Sequence, residues 1–486
     1  MPPLSSSDAS VTPSFSPVLL GFGSLLLAFS LAGLLSISGE FAYGLPWAGR
    51  PTVTAVALMM AAGTGYLIVI WALHRQAPSK VLLAGLFAAG VLFRLMWLGS
   101  TPIYEDDFYR YFFDGAMVSN GLNPYVHTPV DALPDQLLPP VGQLGETREQ
   151  APDPTQDALR QIAETGQVDR VAYPYIRTIY PPVSQAFFAL HHMLAPWSLD
   201  AWRVILFAVD TVSLLLLAKL VRLYGKPVWM TLVFWLNPLV ITETMNAGHM
   251  DALLIPFLVG AVFLAQRERY GWAGMALAGA VGVKIWPLIL APLLFAKLLK
   301  SPKRLIAAAS PFAVASGLLL LPQLMARLDS TSGLAAYAEF WQVNALLFPL
   351  IEQLFATVSD ESSLLARLAV AGVVGALALK LSFDVMKERT TSLTAGFLTV
   401  TAALFLLSPT GYPWYFIWFV PWLAVQFSPA LLLLSVLLPL YDLRYPMSLD
   451  GNQSLFDTVI VPIEFLPTLV LLVFAGFRHR RSEVAA

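Results

Sequence analysis

Long apolar runs recur along almost the whole 486-residue chain, and they constrain the fold more than any other feature. A bilayer has a hydrocarbon core about 30 Å thick, which a helix crosses with about 20 apolar residues. Hydrophobic residues make up 57% of the chain and charged residues only 12%. Soluble domains carry about twice that share of charge, roughly 25%. The sequence therefore predicts an all-α integral membrane protein that crosses the bilayer many times.

We expect a bundle of about 13 helices, because the chain contains that number of apolar segments. One of them, 271–299, is interrupted by Lys284 and Pro287. The uninterrupted segments are 17–37, 53–73, 81–99, 200–220, 227–242, 251–266, 305–322, 363–384, 393–407, 413–427, 429–441 and 456–477.

Clusters of basic residues predict the orientation of these helices, since loops on the cytoplasmic side carry an excess of Lys and Arg. The clusters fit one alternating topology with the N-terminus inside, provided that 271–299 turns at Lys284 and returns to the same face. They lie at Arg75 and Lys80, Arg222 and Lys226, Arg267 and Arg269, Lys297 to Arg304, Lys387 and Arg389, and Arg478 to Arg481.

This topology predicts how the chain is organised. A disordered cytoplasmic tail, residues 1–16, precedes three transmembrane helices within 17–99. Residues 100–199, which we call the long loop, then lie outside the cytoplasm. The remaining helices fill 200–477, and residues 478–486 form a second cytoplasmic tail. Shorter outer loops are expected at 243–250, 323–362, 408–413 and 442–455.

The long loop is acidic and opens with three adjacent carboxylates. Between Thr101 and Tyr180 there are 12 acidic and 5 basic residues, a balance that suits a translocated loop. Glu105, Asp106 and Asp107 stand at its start. They fit two readings. Carboxylates favour helix N-termini, so the run caps the helix that follows. Alternatively, crowded carboxylates raise one another's pKa, which suits a general base near neutral pH.

Polar and aromatic side chains also gather at the other predicted outer ends of the helices. Polar groups at such positions mark ligand pathways, although a turn histidine can also be purely structural. Tryptophan and tyrosine there fit an interfacial belt, and stacking against sugar rings explains them equally well. The candidates for substrate binding, besides Glu105, are Tyr180, His249, Asp251, Trp341, Asn344, Tyr412 and Trp414.

Four charged residues fall within or at the edge of predicted membrane segments, where an unpaired charge is expensive. They are Arg94, Arg203, Asp210 and Lys284. Arg–Asp pairing inside the bundle is one explanation. Binding of a phosphate group is the other, because a guanidinium matches phosphate oxygens in a bidentate fork.

Composition and motifs exclude several other classes of function. The chain has no cysteine, so it offers neither a disulfide framework nor a thiolate nucleophile. Its net charge of −2 argues against a nucleic-acid partner. We find no Walker motif, no dinucleotide-binding glycine pattern and no zinc-ligand spacing. We therefore expect no cofactor and no metal ion.

Five stretches in order resemble the GT-C superfamily of glycosyltransferases, in particular the α-mannosyltransferases that use polyprenyl-phosphate-mannose. After the acidic residues come "YRYFFDGAMVSNGLNPY", "YPPVSQAFFAL", "NPLVITETMNAGHMDALL", "KIWPLILAP" and "GYPWYFIWFVPWLA". The resemblance spans about residues 90 to 430. It implies a multispan fold whose first large extracytoplasmic loop is catalytic, a lipid-linked sugar donor in a membrane groove, and a glycan or glycolipid acceptor.

The resemblance also implies roles for particular residues. Asp106 or Asp107 would take the proton of the acceptor hydroxyl, which attacks the sugar with inversion; we favour Asp106, with Asp107 holding the acceptor or positioning the base. The candidates for contact with the leaving phosphate are Arg110, His249, Lys284 and Arg203. Two rival functions share the membrane architecture: a transporter or flippase of lipid-linked sugars, and an oligosaccharide polymerase or ligase that uses a diphosphate-linked donor.

Overall fold

The computed structural model describes residues 17–75, 77–133, 154–327, 329–388 and 392–484. The predicted tail at 1–16 and the end of the predicted tail at 478–486 lie outside these residues, as does the middle of the long loop. The described chain is helical and contains no β-strand. One isolated parallel bridge joins Val343 to Thr410. The prediction of an all-α fold is confirmed.

The described residues form 22 α-helical segments of very different lengths. In chain order they are α1 Pro17–Ile37, α2 Thr52–Arg75, α3 Lys80–Leu95, α4 Asp107–Ser119, α5 Pro154–Thr165, α6 Pro182–Leu194, α7 Leu199–Leu223, α8 Leu232–Trp235, α9 Pro238–Ile241, α10 Leu254–Gln266, α11 Tyr270–Val283, α12 Ala291–Leu294, α13 Pro302–Leu324, α14 Gly333–Glu339, α15 Phe348–Ala356, α16 Ser362–Met386, α17 Leu393–Leu407, α18 Val420–Leu423, α19 Pro429–Leu437, α20 Arg444–Leu449, α21 Gln453–Leu455 and α22 Val461–Val484.

Short 3-10 and π-helical turns connect or extend these helices. The 3-10 turns are Ser38–Phe41, Pro129–Ala132, Val168–Arg170, Val228–Thr231, Met250–Leu253, Trp286–Leu290, Ala296–Leu298, Pro413–Trp418 and Leu438–Leu443. The π-helical turns are Thr242–Asn246 and Phe456–Ile460.

Seven helices among the described residues are long and apolar enough to cross a membrane. An eighth span results if the bent pair Val228–Trp235 and Pro238–Asn246, which turns by 56°, counts as one. The seven are Pro17–Phe41, Thr52–Arg75, Leu199–Leu223, Pro302–Leu324, Ser362–Met386, Pro429–Leu449 and Gln453–Phe477. Each coincides with a predicted segment, but the count of about 13 is not confirmed.

The difference arises from short apolar segments that lie in the protein core. Met250–Gln266, Tyr270–Val283 and Leu393–Leu407 are apolar but too short to qualify as spans. In α10, residues from Leu254 to Val262 are mostly buried within the protein. An apolar run of this length is typical of a buried core helix, and hydropathy alone does not separate the two cases.

The interrupted segment 271–299 breaks at the predicted residue. Helix α11 ends at Val283, and Lys284 adopts an extended conformation with φ −144° and ψ 149°. Short 3-10 and α-helical turns follow it, with prolines in their first turns. Because proline lacks an N–H donor and clashes with the preceding helical turn, these residues prevent a regular helix.

The described part of the long loop packs its two ends together. Helix α4 lies against α6, and a Cβ at Gly115 would stand 2.2 Å from the carbonyl oxygen of Phe188. Only glycine permits this close approach. The Tyr111 and Phe188 rings stack with centroids 4.8 Å apart. This packing fixes α4, and with it the acidic residues at its start.

Arg94 and Asp210 form a structural pair inside the bundle. Arg94 Nε donates to Asp210 Oδ2 at 2.9 Å, and both side chains are fully buried. The guanidinium lies 3.7 Å from the ring centroid of Trp235 and donates to the Trp235 carbonyl at 2.7 Å. These contacts favour the structural explanation of both residues over phosphate binding.

Candidate active site

A cavity of about 720 Å³ lies between the long loop and the ends of several helices. Its wall comes from the start of α4, the segment 172–181, the break after α11, the turn that begins at Pro413, and the start of α20. Ligand pockets of roughly 300–1,000 Å³ are usual in proteins. The cavity is therefore large enough for a sugar with parts of its attached groups.

The three acidic residues at the start of the long loop all line this cavity. Asp106 occupies the N-cap position of α4, but its side chain forms no capping hydrogen bond. Asp106 is exposed, whereas Glu105 and Asp107 are half-buried. The capping explanation is thus unsupported for Asp106, and the carboxylate remains available to a bound molecule.

Burial raises the pKa of each carboxyl group in this run. For Asp106, whose side chain is open to the cavity, the main cause is desolvation by the surrounding protein. For Asp107, the raised pKa again comes first from burial, with the Asp106 carboxylate adding to it and His249 and Lys284 acting against it. Burial, then Asp107 and Asp106, place the pKa of Glu105 well above its ordinary value. A carboxylate with a raised pKa is better matched to proton transfer near neutral pH.

His249 packs against the acidic run on the side away from the cavity. Its Nε2 atom lies 3.4 Å from Glu105 Oε2 and 3.3 Å from Glu243 Oε2, without the alignment of a hydrogen bond. Its ring is buried and stacks on Trp414 at 4.0 Å. Glu243 sits in the π-helical turn Thr242–Asn246, and such turns are frequent at functional sites.

Asn246 links the π-helical turn to the start of the long loop through two hydrogen bonds. Its Nδ2 donates to the Thr101 carbonyl at 2.7 Å, and its Oδ1 accepts from the Ile103 N–H at 2.9 Å. Together with the His249 contacts, these bonds fix the backbone that carries the acidic residues.

Lys284 reaches the cavity from the break after α11 and pairs with Asp251. Lys284 Nζ lies 2.7 Å from Asp251 Oδ1, which also accepts from Trp418 Nε1 at 2.5 Å. The ammonium stands 4.7 Å from the ring centroid of Tyr415. Both predicted residues line the cavity, and the pair brings a cation close to the acidic run.

Arg110 and Arg203 occupy positions that differ from their predicted use. Arg110 lines the cavity, but it donates to the carbonyls of Ile176 at 3.0 Å and Tyr173 at 2.8 Å. Arg203 is buried away from the cavity wall and donates to the Ser100 carbonyl at 2.9 Å. Its other partners are Asp200 and the Asn246 carbonyl. Both arginines therefore stabilise backbone segments through hydrogen bonds to carbonyls, and Arg203 is not placed to contact a phosphate in this cavity.

The predicted aromatic residues surround the cavity, whereas the predicted asparagine stands behind it. Tyr180, Trp341, Tyr412 and Trp414 belong to the wall. Asn344 donates instead to the Gly411 carbonyl at 2.9 Å and to a Glu464 oxygen at 2.8 Å. It holds the turn that presents Tyr412 and is not itself exposed to a ligand.

Two family models match the chain, and residues from both matched ranges line the cavity. The model of the alpha-(1->6)-mannopyranosyltransferase N-terminal domain family matches residues 15–149. The model of glycosyltransferase family 87 matches residues 178–409. The chain is a membrane glycosyltransferase of the GT-C type. No curated protein and no solved structure matches it.

The two matched regions supply different parts of the glycosyltransferase cavity. The first contributes the acidic run and Arg110, and the second contributes Asp251, Lys284 and Trp341. The predicted resemblance to this superfamily is confirmed. The roles of individual residues stay predictions.

Sequence reasoning missed part of the glycosyltransferase cavity wall that lies beyond both matched regions. The stretch "YDLRYP", residues 441–446, contributes Tyr441, Arg444 and Tyr445. Tyr445 stacks on Tyr104, next to the acidic run, with ring centroids 4.2 Å apart. Its signal was an aspartate and an arginine set among tyrosines at the end of an apolar segment, the same mixture that opens the long loop.

Proposed function

We propose that the protein transfers a sugar, most simply mannose, from a polyprenyl-phosphate donor to a hydroxyl of a glycan or glycolipid acceptor at the extracytoplasmic face. The mannose and the α-linked product follow the name of the matched N-terminal domain family. The lipid-phosphate donor and inversion follow the resemblance of the sequence motifs to GT-C mannosyltransferases.

One observation carries this proposal: a single cavity brings together four carboxylates, cations and many aromatic side chains. Asp106 and Asp107 supply proton acceptors, Lys284 supplies positive charge, and residues such as Trp341 and Tyr412 supply flat apolar faces. Sugar transfer from a phosphate needs these three elements. A base activates the acceptor, a cation stabilises the leaving phosphate, and aromatic faces hold the rings.

In the proposed reaction, the Asp106 carboxylate accepts the proton of the acceptor hydroxyl as its oxygen bonds to the anomeric carbon. The bond from that carbon to the phosphate oxygen breaks, and the polyprenyl phosphate leaves with the electron pair. Attack from the face opposite the phosphate inverts the anomeric configuration. Asp107, beside the base, holds the acceptor or orients Asp106.

The test uses the purified full-length protein in liposomes that contain radiolabelled polyprenyl-phosphate-mannose and candidate acceptors. We expect label to move to the acceptor in a single step. Translocation of the labelled lipid without transfer would contradict the proposal in favour of a flippase. Transfer only from a diphosphate-linked donor would contradict it in favour of a polymerase or ligase.

The proposed side of the reaction has its own test, because the chain contains no cysteine of its own. A single cysteine at Ser119 in the long loop should react with an impermeant maleimide in intact cells. One at Ser482 should react only after the membrane is permeabilised. The reverse labelling pattern would place the long loop in the cytoplasm and overturn the proposed sidedness.

A further inference from the structure

Among the residues that the structure describes, four cationic side chains line the cavity, and three of them already have hydrogen-bond or ion-pair partners. Arg110 donates to backbone carbonyls. Arg177 pairs with Asp329 at 2.6 Å and donates to the Arg327 carbonyl. Lys284 pairs with Asp251 at 2.7 Å. A cation whose donors are occupied by carbonyls or a carboxylate must give up those partners before it binds a ligand.

Arg444 is the fourth, and its contacts hold it without a direct ion pair. Its Nη1 donates to the Tyr441 hydroxyl at 2.6 Å. Its guanidinium lies 5.3 Å from the Tyr441 ring centroid and 5.6 Å from that of Tyr445. In the part of the chain that the structure describes, no carboxylate lies within ion-pair distance of Arg444.

The position of Arg444 puts this charge next to the proposed chemistry. Tyr445 stacks on Tyr104, the residue before the acidic run. A guanidinium carries five N–H donors in a planar fork that matches phosphate oxygens. With one nitrogen fixed by Tyr441, and the group half-buried at the cavity wall, the remaining donors are oriented before a ligand arrives.

We propose that Arg444 binds the phosphate group of the lipid-linked sugar donor. This inference rests on the proposed function and names the residue that recognises the donor. It assigns Lys284, whose charge is balanced by Asp251, a weaker part in phosphate recognition. A phosphate on an acceptor lipid would offer the same chemistry, so the experiment must separate the two sources.

The experiment measures binding of polyprenyl phosphate, which carries the phosphate without the sugar, to the full-length protein in nanodiscs. Donor and acceptor KM values are measured in parallel. We expect Arg444→Gln to weaken polyprenyl phosphate binding and raise the donor KM by about 10- to 100-fold, the effect of losing a hydrogen bond to a charged group. Acceptor KM should change little. The matched control is Arg160→Gln on α5, where Arg160 is 70% exposed and does not line the cavity.

Wild-type affinity of Arg444→Gln for polyprenyl phosphate would overturn the assignment, and so would an increase confined to the acceptor KM. Because polyprenyl phosphate binding does not require turnover, this failure is distinct from failure of the proposed function, in which the wild-type protein transfers nothing. Should Arg444→Gln not fold, Arg444→Lys decides. It keeps the charge but loses the bidentate fork, so we expect measurably weaker binding, and unchanged binding overturns the assignment.

Discussion

Two groups of charged side chains in this protein have opposite arrangements. The Arg94–Asp210 pair is closed: each charge faces its partner at 2.9 Å, and both side chains are buried. The acidic run at Glu105 to Asp107 is open: three like charges stand side by side on the wall of a large cavity. Both groups are rare exceptions in an apolar sequence. Only their surroundings distinguish a structural role from a catalytic one.

The fold offsets the cost of removing charge from water at one group and leaves that cost in place at the other. At Arg94, opposite charge, hydrogen bonds and the face of Trp235 compensate the desolvation of the guanidinium. At Asp106, burial raises the pKa and the cavity leaves the carboxylate accessible. Uncompensated groups of this kind cluster at functional sites, because chemistry requires a group that is not already satisfied.

The largest expected effect comes from replacing Asp106, the proposed base at the open group. Asp106→Asn keeps the size of the side chain but cannot accept a proton, and general-base catalysis is typically worth about 10²–10⁴-fold in rate. We expect sugar transfer to fall at least about a hundredfold while donor binding and the unfolding temperature stay near wild type.

Two neighbouring variants serve as controls for this prediction. Asp107→Asn should lose less activity than Asp106→Asn, and Glu105→Gln should lose least. If Asp106→Asn and Asp107→Asn both turn over at nearly the wild-type rate, neither carboxylate is the base, and the acidic run has a structural role.

At the closed group, a similar substitution should affect stability instead of catalysis. Asp210→Asn leaves the Arg94 charge buried without a partner, and breaking a buried pair in this way costs about 3–5 kcal/mol. We expect a clear decrease in unfolding temperature, with the rate per folded molecule unchanged. The double variant Arg94→Met with Asp210→Asn should recover part of the stability. A selective loss of donor affinity in Asp210→Asn would show that the pair is part of the binding site.

The sequence predicted both groups of charge but could not decide between their roles. Arg94, Asp210 and Arg203 all sit in apolar segments, where pairing and phosphate binding give the same pattern. Tertiary contacts distinguish the two roles: Arg203 donates hydrogen bonds to Asp200 and to two backbone carbonyls. Asn344 was predicted at the site because it is a polar residue at an outer helix end, and its amide instead bridges Gly411 and Glu464.

The sequence was most informative where local chemistry determines the structure. Apolar length located all seven candidate spans, and Lys284 and Pro287 located the break after α11. Hydropathy did not separate spans from core helices such as α10, because both are apolar on all sides. Arg444 was missed because its role depends on residues far away in sequence, such as Tyr104, which its neighbour Tyr445 contacts.

Lys284 and Asp251 are intermediate between the two groups, since they form a pair at the cavity wall. Lys284→Met should raise the donor KM by roughly tenfold, from the loss of a charge-assisted interaction of about 1.5–3 kcal/mol. A double-mutant cycle with Asp251→Asn separates the possible roles. If adding Asp251→Asn to the Lys284→Met variant restores stability but not donor affinity, Lys284 acts on the donor. If it restores both, the pair is structural, like Arg94 and Asp210.

The smallest expected effect concerns His249, which packs behind the acidic run. The charged groups that face His249 are Glu105, Glu243, Asp107, Asp251 and Lys284. Burial lowers the pKa of His249 itself, while the positive charge it can carry lowers the pKa of Asp107. His249→Gln removes that charge, so the pKa of Asp107, which is proposed to hold the acceptor or orient Asp106, should rise.

The expected sign follows from the base being active in its ionised form. Activity is lost as pH falls through the pKa of the acidic run, so a higher pKa moves the acidic limb of kcat/KM towards higher pH. We expect a shift of less than about one pH unit, with the rate above the limb reduced only severalfold. His127→Gln, in the long loop but outside the cavity wall, is the matched control and should leave the limb in place. A His249→Gln profile that keeps its acidic limb and loses only amplitude would mean that His249 supports the shape of the site without influencing its ionisation.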